Sequence, residues 1–171
     1  MPISVVGAGG MPSGSVLQVV QTNFSGTTSI TGTTFQEITD LAVTITPTSA
    51  NSKILWSCSI AQGENTDCFP GYKLLRDSTE LNVATAIGSG QSCTFAGVRT
   101  QANSRDQYLL SQLSYEYLDS PSTTSAITYK VQVRPFGAAS GRTVFINRSQ
   151  TIGDANQLTA TSTVTVMEIA G

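Results

Sequence analysis

The sequence predicts an all-β molecule: an antiparallel β-sandwich, jelly roll in type, over residues 15–171, preceded by a Gly-rich N-terminal arm over 1–14. Three observations carry that prediction. Apolar and polar residues alternate with period two through most of the chain, which places successive side chains on opposite faces of a strand. Clusters of Gly, Pro, Asn, Asp and Ser recur between the alternating runs and mark turns. No segment carries a convincing helical stripe of apolar residues.

Taken in chain order, the arm comes first. Gly7, Gly9, Gly10 and Gly14, with Pro2 and Pro12, give it little capacity to hold a shape by its own contacts. A partner surface is therefore expected to hold it, through Ile3, Val5, Val6, Met11 and Pro12. Strands are expected at 15–22 and 34–40, then at Leu41, Val43 and Ile45, which alternate with Ala42, Thr44 and Thr46. After the turn at 47–52, Ile54, Trp56, Cys58 and Ile60 share one face. Further strands are expected at 71–77, 81–87 and 92–99. Residues 106–118 read as a strand because Leu113, Tyr115 and Tyr117 keep period two and aromatics favour strands, although Leu109, Leu110 and Leu113 also fit helical spacing. Ile127, Tyr129, Val131 and Val133 alternate with Thr128, Lys130, Gln132 and Arg134 in the clearest amphipathic strand. Val144 with Ile146, and Val164 with Val166, repeat the pattern. Turns are expected at 65–67, 69–71, 77–78, 119–121, 137–141 and 153–156. Nine or ten short strands separated by such turns indicate a sandwich.

Composition removes several functions. The 171 residues include 24 Thr and 21 Ser, only 12% are charged, and histidine is absent. Without histidine there is no Ser-His-Asp or Cys-His catalysis, no imidazole metal ligand and no imidazole pH switch. A net charge of −2, with nine Lys and Arg scattered singly, provides no basic field for nucleic acid or an anionic membrane. No stretch approaches the ~18 apolar residues of a membrane helix, and the N-terminus does not have the basic and apolar regions of a signal peptide. Cys58, Cys68 and Cys93 match no zinc spacing and cannot all pair. Reduced thiols at an intracellular assembly site are expected, with a Cys58–Cys93 or Cys68–Cys93 bridge left open.

Candidate chemistry is sparse. Glu116 and Asp119 flank Tyr117-Leu118 and invite comparison with paired glycosidase carboxylates, but no convergent partners accompany them, and a solvated strand end is expected instead. Gly63-Glu64-Asn65-Thr66-Asp67 offers oxygen ligands without the full set of a calcium loop, and Gly88-Ser89-Gly90 has neither the Lys nor the helix of a phosphate loop. No catalytic, cofactor or metal residue is assigned. The expected exposed recognition loop comprises Glu64, Asn65, Asp67 and Phe69, while Trp56 is expected in the core. Strand faces rich in Thr, Ala and Val are cheap to bury against another subunit because few ions need desolvation.

Several segments resemble a family of small, cyanophage-like bacteriophage virion proteins, seen as tail-fibre tips or head appendages. They are Ser13-Gly14-Ser15-Val16-Leu17-Gln18-Val19-Val20-Gln21, Ile38-Thr39-Asp40-Leu41-Ala42-Val43-Thr44-Ile45-Thr46-Pro47 with Ser52-Lys53-Ile54-Leu55, Leu118-Asp119-Ser120-Pro121, Thr128-Tyr129-Lys130-Val131-Gln132, and Met167-Glu168-Ile169-Ala170-Gly171. The resemblance implies a non-enzymatic homotrimeric β-sandwich without cofactors, assembled in the host cytoplasm and displayed on the virion surface. Its implied partners are copies of itself and other virion proteins, the major capsid protein first, with neither nucleic acid nor membrane among them. Fibre proteins of this kind carry the domain on a long shaft, whereas this sequence reads as one head and a tether. That difference favours capsid decoration or cementing. The alternative is a receptor-binding tip whose loops at 62–70, 100–106 and 135–142 recognise host glycan.

Overall fold

Branched apolar residues alternating with hydroxyls make strands because each fits a pleated surface with one wet side, and the computed structural model is built from such strands. It describes residues 11–65, 67–97, 106–137 and 141–171. The strands are β1 (Val16–Phe24), β2 (Thr28–Thr31), β3 (Gln36–Glu37), β4 (Val43–Ile45), β5 (Lys53–Glu64) and β6 (Phe69–Arg76). They continue with β7 (Thr79–Leu81), β8 (Phe95–Ala96), β9 (Ser111–Asp119), β10 (Ile127–Phe136), β11 (Thr143–Ile146) and β12 (Ser162–Ile169). Short 3-10 turns occupy Thr39–Leu41 and Asp106–Tyr108.

All strand pairs are antiparallel and they form two open sheets. In the first, β5 pairs with β9 on one side; on the other it pairs with β12 and, further along, with β11. Beyond these lie β1, against β12, and β2, against β11. In the second sheet, β10 and β6 form the centre, with β3 and β4 flanking β10 and β7 and β8 flanking β6. The sandwich is as expected; neither sheet closes into a barrel.

Period two places Ile54, Trp56, Cys58 and Ile60 of β5 opposite Tyr129, Val131 and Val133 of β10 and Tyr72 and Leu74 of β6, all in one buried cluster. At its centre Phe95 stacks on Tyr72 at 5.0 Å and on Tyr115 at 4.8 Å, with Trp56 beside it at 6.4 Å. Buried polar side chains pin the strand ends. Ser162 Oγ accepts from Ala61 N and donates to Asn147 Oδ1, and Asn147 Nδ2 donates to Phe24 O and Gly26 O. Between the sheets, Asp119 on β9 accepts from Arg76 on β6 and from the Tyr129 hydroxyl on β10.

Several expected elements differ. Phe69-Pro70-Gly71 is the start of β6 rather than a turn: Pro70 lies opposite Pro135 and accepts Gly97 N at its carbonyl, so two residues without an N–H occupy paired positions. The strand expected at 81–87 ends at Leu81, because Asn82 takes a left-handed φ of 49° that turns the chain out of the sheet. The strand expected at 34–40 shrinks to β3, only β8 forms within 92–97 (98 and 99 lie outside the described residues), and 106–118 opens with a 3-10 turn before β9. β2 was not expected. Residues 138–140 of the expected 137–141 turn lie outside the described residues.

Candidate functional site

The expected docking arm is described only at its exit, with Ile3, Val5 and Val6 outside the described residues. Met11 and Pro12 are exposed there. Gly14 N donates to Ala170 O and Ala170 N donates to Ser15 O, each at 2.8 Å, so the arm leaves the sandwich beside the C-terminal residue pair Ala170-Gly171. A pocket of about 260 Å³ opens at that point, between Met11, Leu17 and the 48–52 turn.

The expected recognition loop is largely structural. Glu64 is the last residue of β5 and is buried, contrary to its expected exposure, because the strand runs on through Gly63 and Glu64 into pairing with β11. Asn65 fastens the start of β11: its Oδ1 accepts Thr143 N at 2.8 Å and its N donates to Thr143 O at 3.1 Å. Asp67 stands at a left-handed φ of 61° and delivers the chain to buried Cys68. Phe69 alone keeps the expected exposure, at 42%. It joins a row of rings on the outside of the second sheet, stacked 6.1 Å from Phe136, which in turn meets Phe35 edge-on at 6.0 Å. Lys73 lies over Phe35 and Arg134 over Phe136, at 4.6 and 4.4 Å. A groove of about 330 Å³ runs beside them over Gly71, where a side chain would strike the Phe136 ring.

The other outer surface is of a different kind. Across β1, β12, β5 and β9, the outward residues line up by register into rows: Asn23, Thr163, Ser59 and Ser114; Gln21, Thr165, Ser57 and Glu116; Val19, Met167, Leu55 and Leu118. Two lateral hydrogen bonds tie the upper rows, Gln21 Nε2 donating to Thr165 Oγ1 at 2.8 Å and Gln112 Nε2 to Ser59 Oγ at 2.6 Å. The third row is apolar throughout, with Val19 55% and Leu118 48% exposed. Lys53 and Glu116 are the outward charges of these four strands. The second sheet instead presents Lys73 paired with Glu80 and Lys130 with Glu37, besides Arg134.

The sequence reading did not single out this apolar row. Its signal is that apolar residues interrupt the alternation on each strand: Val19 precedes inward Val20, Leu55 separates Ile54 from Trp56, and Leu118 and Met167 follow Tyr117 and Val166; β1 and β12 carry a second outward apolar residue each, Val16 and Ile169, which pair with each other. Register then brings the four breaks together.

The two carboxylates singled out in the sequence do not converge. Glu116 and Asp119, three apart on one strand, face opposite sides of it, as period two requires, and Asp119 is buried. Burial pushes Cys58 and Cys68 up to about 12, with the Glu64 carboxylate adding to the effect at Cys68. All three cysteines are thiols. Burial works to raise Glu168, but hydrogen bonds from Gln18 and from the Thr48 N and hydroxyl outweigh it and hold the carboxyl below its usual 4.5. Among the described residues no three His, Cys, Asp or Glu side chains gather as metal ligands, and no helix is long and apolar enough to cross a membrane. No protein-family model matches the sequence and no curated protein matches it, so the functional reading rests on these surfaces and on the resemblance in the sequence.

Proposed function

We propose that this chain is a non-enzymatic bacteriophage virion protein, a homotrimer that decorates or cements the capsid after assembly in the host cytoplasm. The observation that carries this reading is the segregation of charge between the two outer surfaces. Two ion pairs lie on the second sheet, while the first offers an almost uncharged face of hydroxyls and amides with an apolar row. Such a face is inexpensive to desolvate and suits permanent contact with protein. Its chain also passes between the sheets in the order of β4, β5, β6, β9, β10 and β12, the alternation of a jelly-roll winding, which we adopt as the finer description of the sandwich. The mechanism is adhesion: area buried between capsomers, with the arm engaging the shell, raises the free energy of rupture under packaged-DNA pressure.

Particle stability tests it. Virions without the protein are expected to release DNA at a lower temperature than wild type, and adding the purified protein back should restore them. Unchanged heat tolerance would refute cementing.

A second reading, a receptor-binding tip, is favoured by one observation: exposed Phe69 stacks on half-buried Phe136 beside an apolar groove, an aromatic edge against which a sugar could pack. Purified protein that blocks phage adsorption, and a Phe136→Ala variant that does not, would select this reading over decoration.

A further inference from the structure

The proposed trimer needs a contact surface, and the register of the first sheet identifies one. We propose that the row Val19, Met167, Leu55 and Leu118 is the self-association face, covered in solution by a second and third copy of this chain. The inference rests on the homotrimer reading and adds to it the residues that meet.

Four features select a copy of the same chain as the occupant. An apolar row that crosses every one of four neighbouring strands is continuous, whereas scattered surface leucines are ordinary. Each of the four strands contributes an outward apolar residue to the row, and these fall in register between strands about 60 to 150 residues apart in sequence, with Val16 and Ile169 extending the apolar surface on β1 and β12. Charge adds a selection. With Lys53 and Glu116 alone on these strands, the face offers little to steer a highly charged partner but nothing that repels its own copy. Size is compatible as well. Four strands ~4.8 Å apart and some nine residues long at ~3.3 Å each give a planar footprint on the order of 500 Å². That footprint is more than half of the ~800 Å² per partner of a standard interface.

Hydroxyl rows above the apolar one contribute fit rather than energy. Two lateral hydrogen bonds, Gln21 to Thr165 and Gln112 to Ser59, are already made within one subunit, so covering those pairs need not break them. Glu116, beside Ser57 at the β9 margin, falls where a contact patch has its wet rim.

Multi-angle light scattering on the purified full chain tests this, with Leu118→Glu, Val19→Lys and the second-sheet control Gln132→Glu. Leu118 and Val19 are about half exposed, so these changes leave the core intact, and an unchanged urea midpoint relative to the dissociated state checks folding. The wild type and the control are expected at three times the 17.9 kDa chain mass, and the two face variants at one chain mass. A monomeric wild type, whether its row is covered by its own arm or by nothing, overturns the trimer and the face together. A trimeric wild type whose face variants stay trimeric overturns the face and leaves the trimer standing. A trimer that dissociates as expected, but whose loss does not alter virion heat tolerance, upholds the face and refutes the cementing role.

Discussion

Asp119→Ala should be among the most damaging single changes on β9, the strand that carries Leu118. Its carboxylate is buried and accepts four hydrogen bonds: from Arg76 Nη1 at 3.0 Å on Oδ1 and 2.8 Å on Oδ2, from the Tyr129 hydroxyl at 2.7 Å, and from Ser120 N at 2.9 Å. Removing one member of a buried ion pair costs ~3–5 kcal/mol, because the partner charge is left without compensation. Arg76 retains a quarter of its side-chain exposure, so water relieves part of that cost and the lower end, about 3 kcal/mol, is expected. For a chain of this size each kcal/mol lowers the melting temperature by ~2–4 °C, so the shift should be roughly 6–12 °C. Calorimetry and urea unfolding measure it. The sharper assay is a double-mutant cycle. If the two side chains act as a pair, Arg76→Leu together with Asp119→Ala should cost at least ~1 kcal/mol less than the two single changes added. Additivity within ~0.5 kcal/mol would refute the coupling, and with it the view that this clamp ties β9 to the second sheet.

Two further outcomes follow from other buried groups. Glu168 is held below its usual value in the folded chain, so its contribution is complete above about pH 4.5 and is lost as the pH falls through its lower folded value. Glu168→Gln should therefore lower stability by ~1–3 kcal/mol at pH 7 and flatten the acid limb of the stability profile; an acid limb as steep as wild type would show that the Gln18 and Thr48 hydrogen bonds do not set this carboxyl. With Cys58 and Cys68 buried and pushed up to about 12, and Cys93 half-buried, a thiol reagent at pH 8 should modify Cys93 alone in the folded chain and all three in urea. Native-state labelling that survives Cys93→Ser would contradict the packing around the other two.

How far the sequence discloses this molecule depends on how local each feature is. The strand over 127–133 is readable because its inward Ile127, Tyr129, Val131 and Val133 and its outward hydroxyls and charges announce both faces within one segment, and Trp56 is readable as core for the same reason. Phe69-Pro70-Gly71 is not: the residues that make turns elsewhere become a strand because Pro135 and Phe136, more than sixty residues on, supply matching partners. Glu64 reads as a loop ligand by residue type, yet its position on β5 buries it. Serine misleads in the same way. Most hydroxyls do face outward, but Ser52, Ser149 and Ser162 are buried, and Ser162 serves as a relay between Ala61 and Asn147. The apolar row is the extreme case. Within any one segment its residues are only small departures from alternation, and pairing between the two ends of the chain and its middle is what joins them into one surface.

The two kinds of buried polar group explain why that surface stays so free of charge. A carboxylate inside the sandwich needs several donors, and the chain supplies them at strand ends: Thr48 and Gln18 for Glu168, and Arg76 and Tyr129 for Asp119. Both acids belong to strands of the first sheet, yet both point inward, so the charge these strands carry is spent on joining layers. What remains outside is hydroxyl, amide and aliphatic. A surface of that composition loses little when another protein covers it, since it carries few charges to desolvate and its aliphatic groups gain by leaving water. The second sheet makes the opposite choice, keeping Lys73, Lys130 and Arg134 outward with their partners. A single sandwich thus has one face suited to solvent and one suited to protein, and the hydroxyl-rich, charge-poor composition is what that division requires.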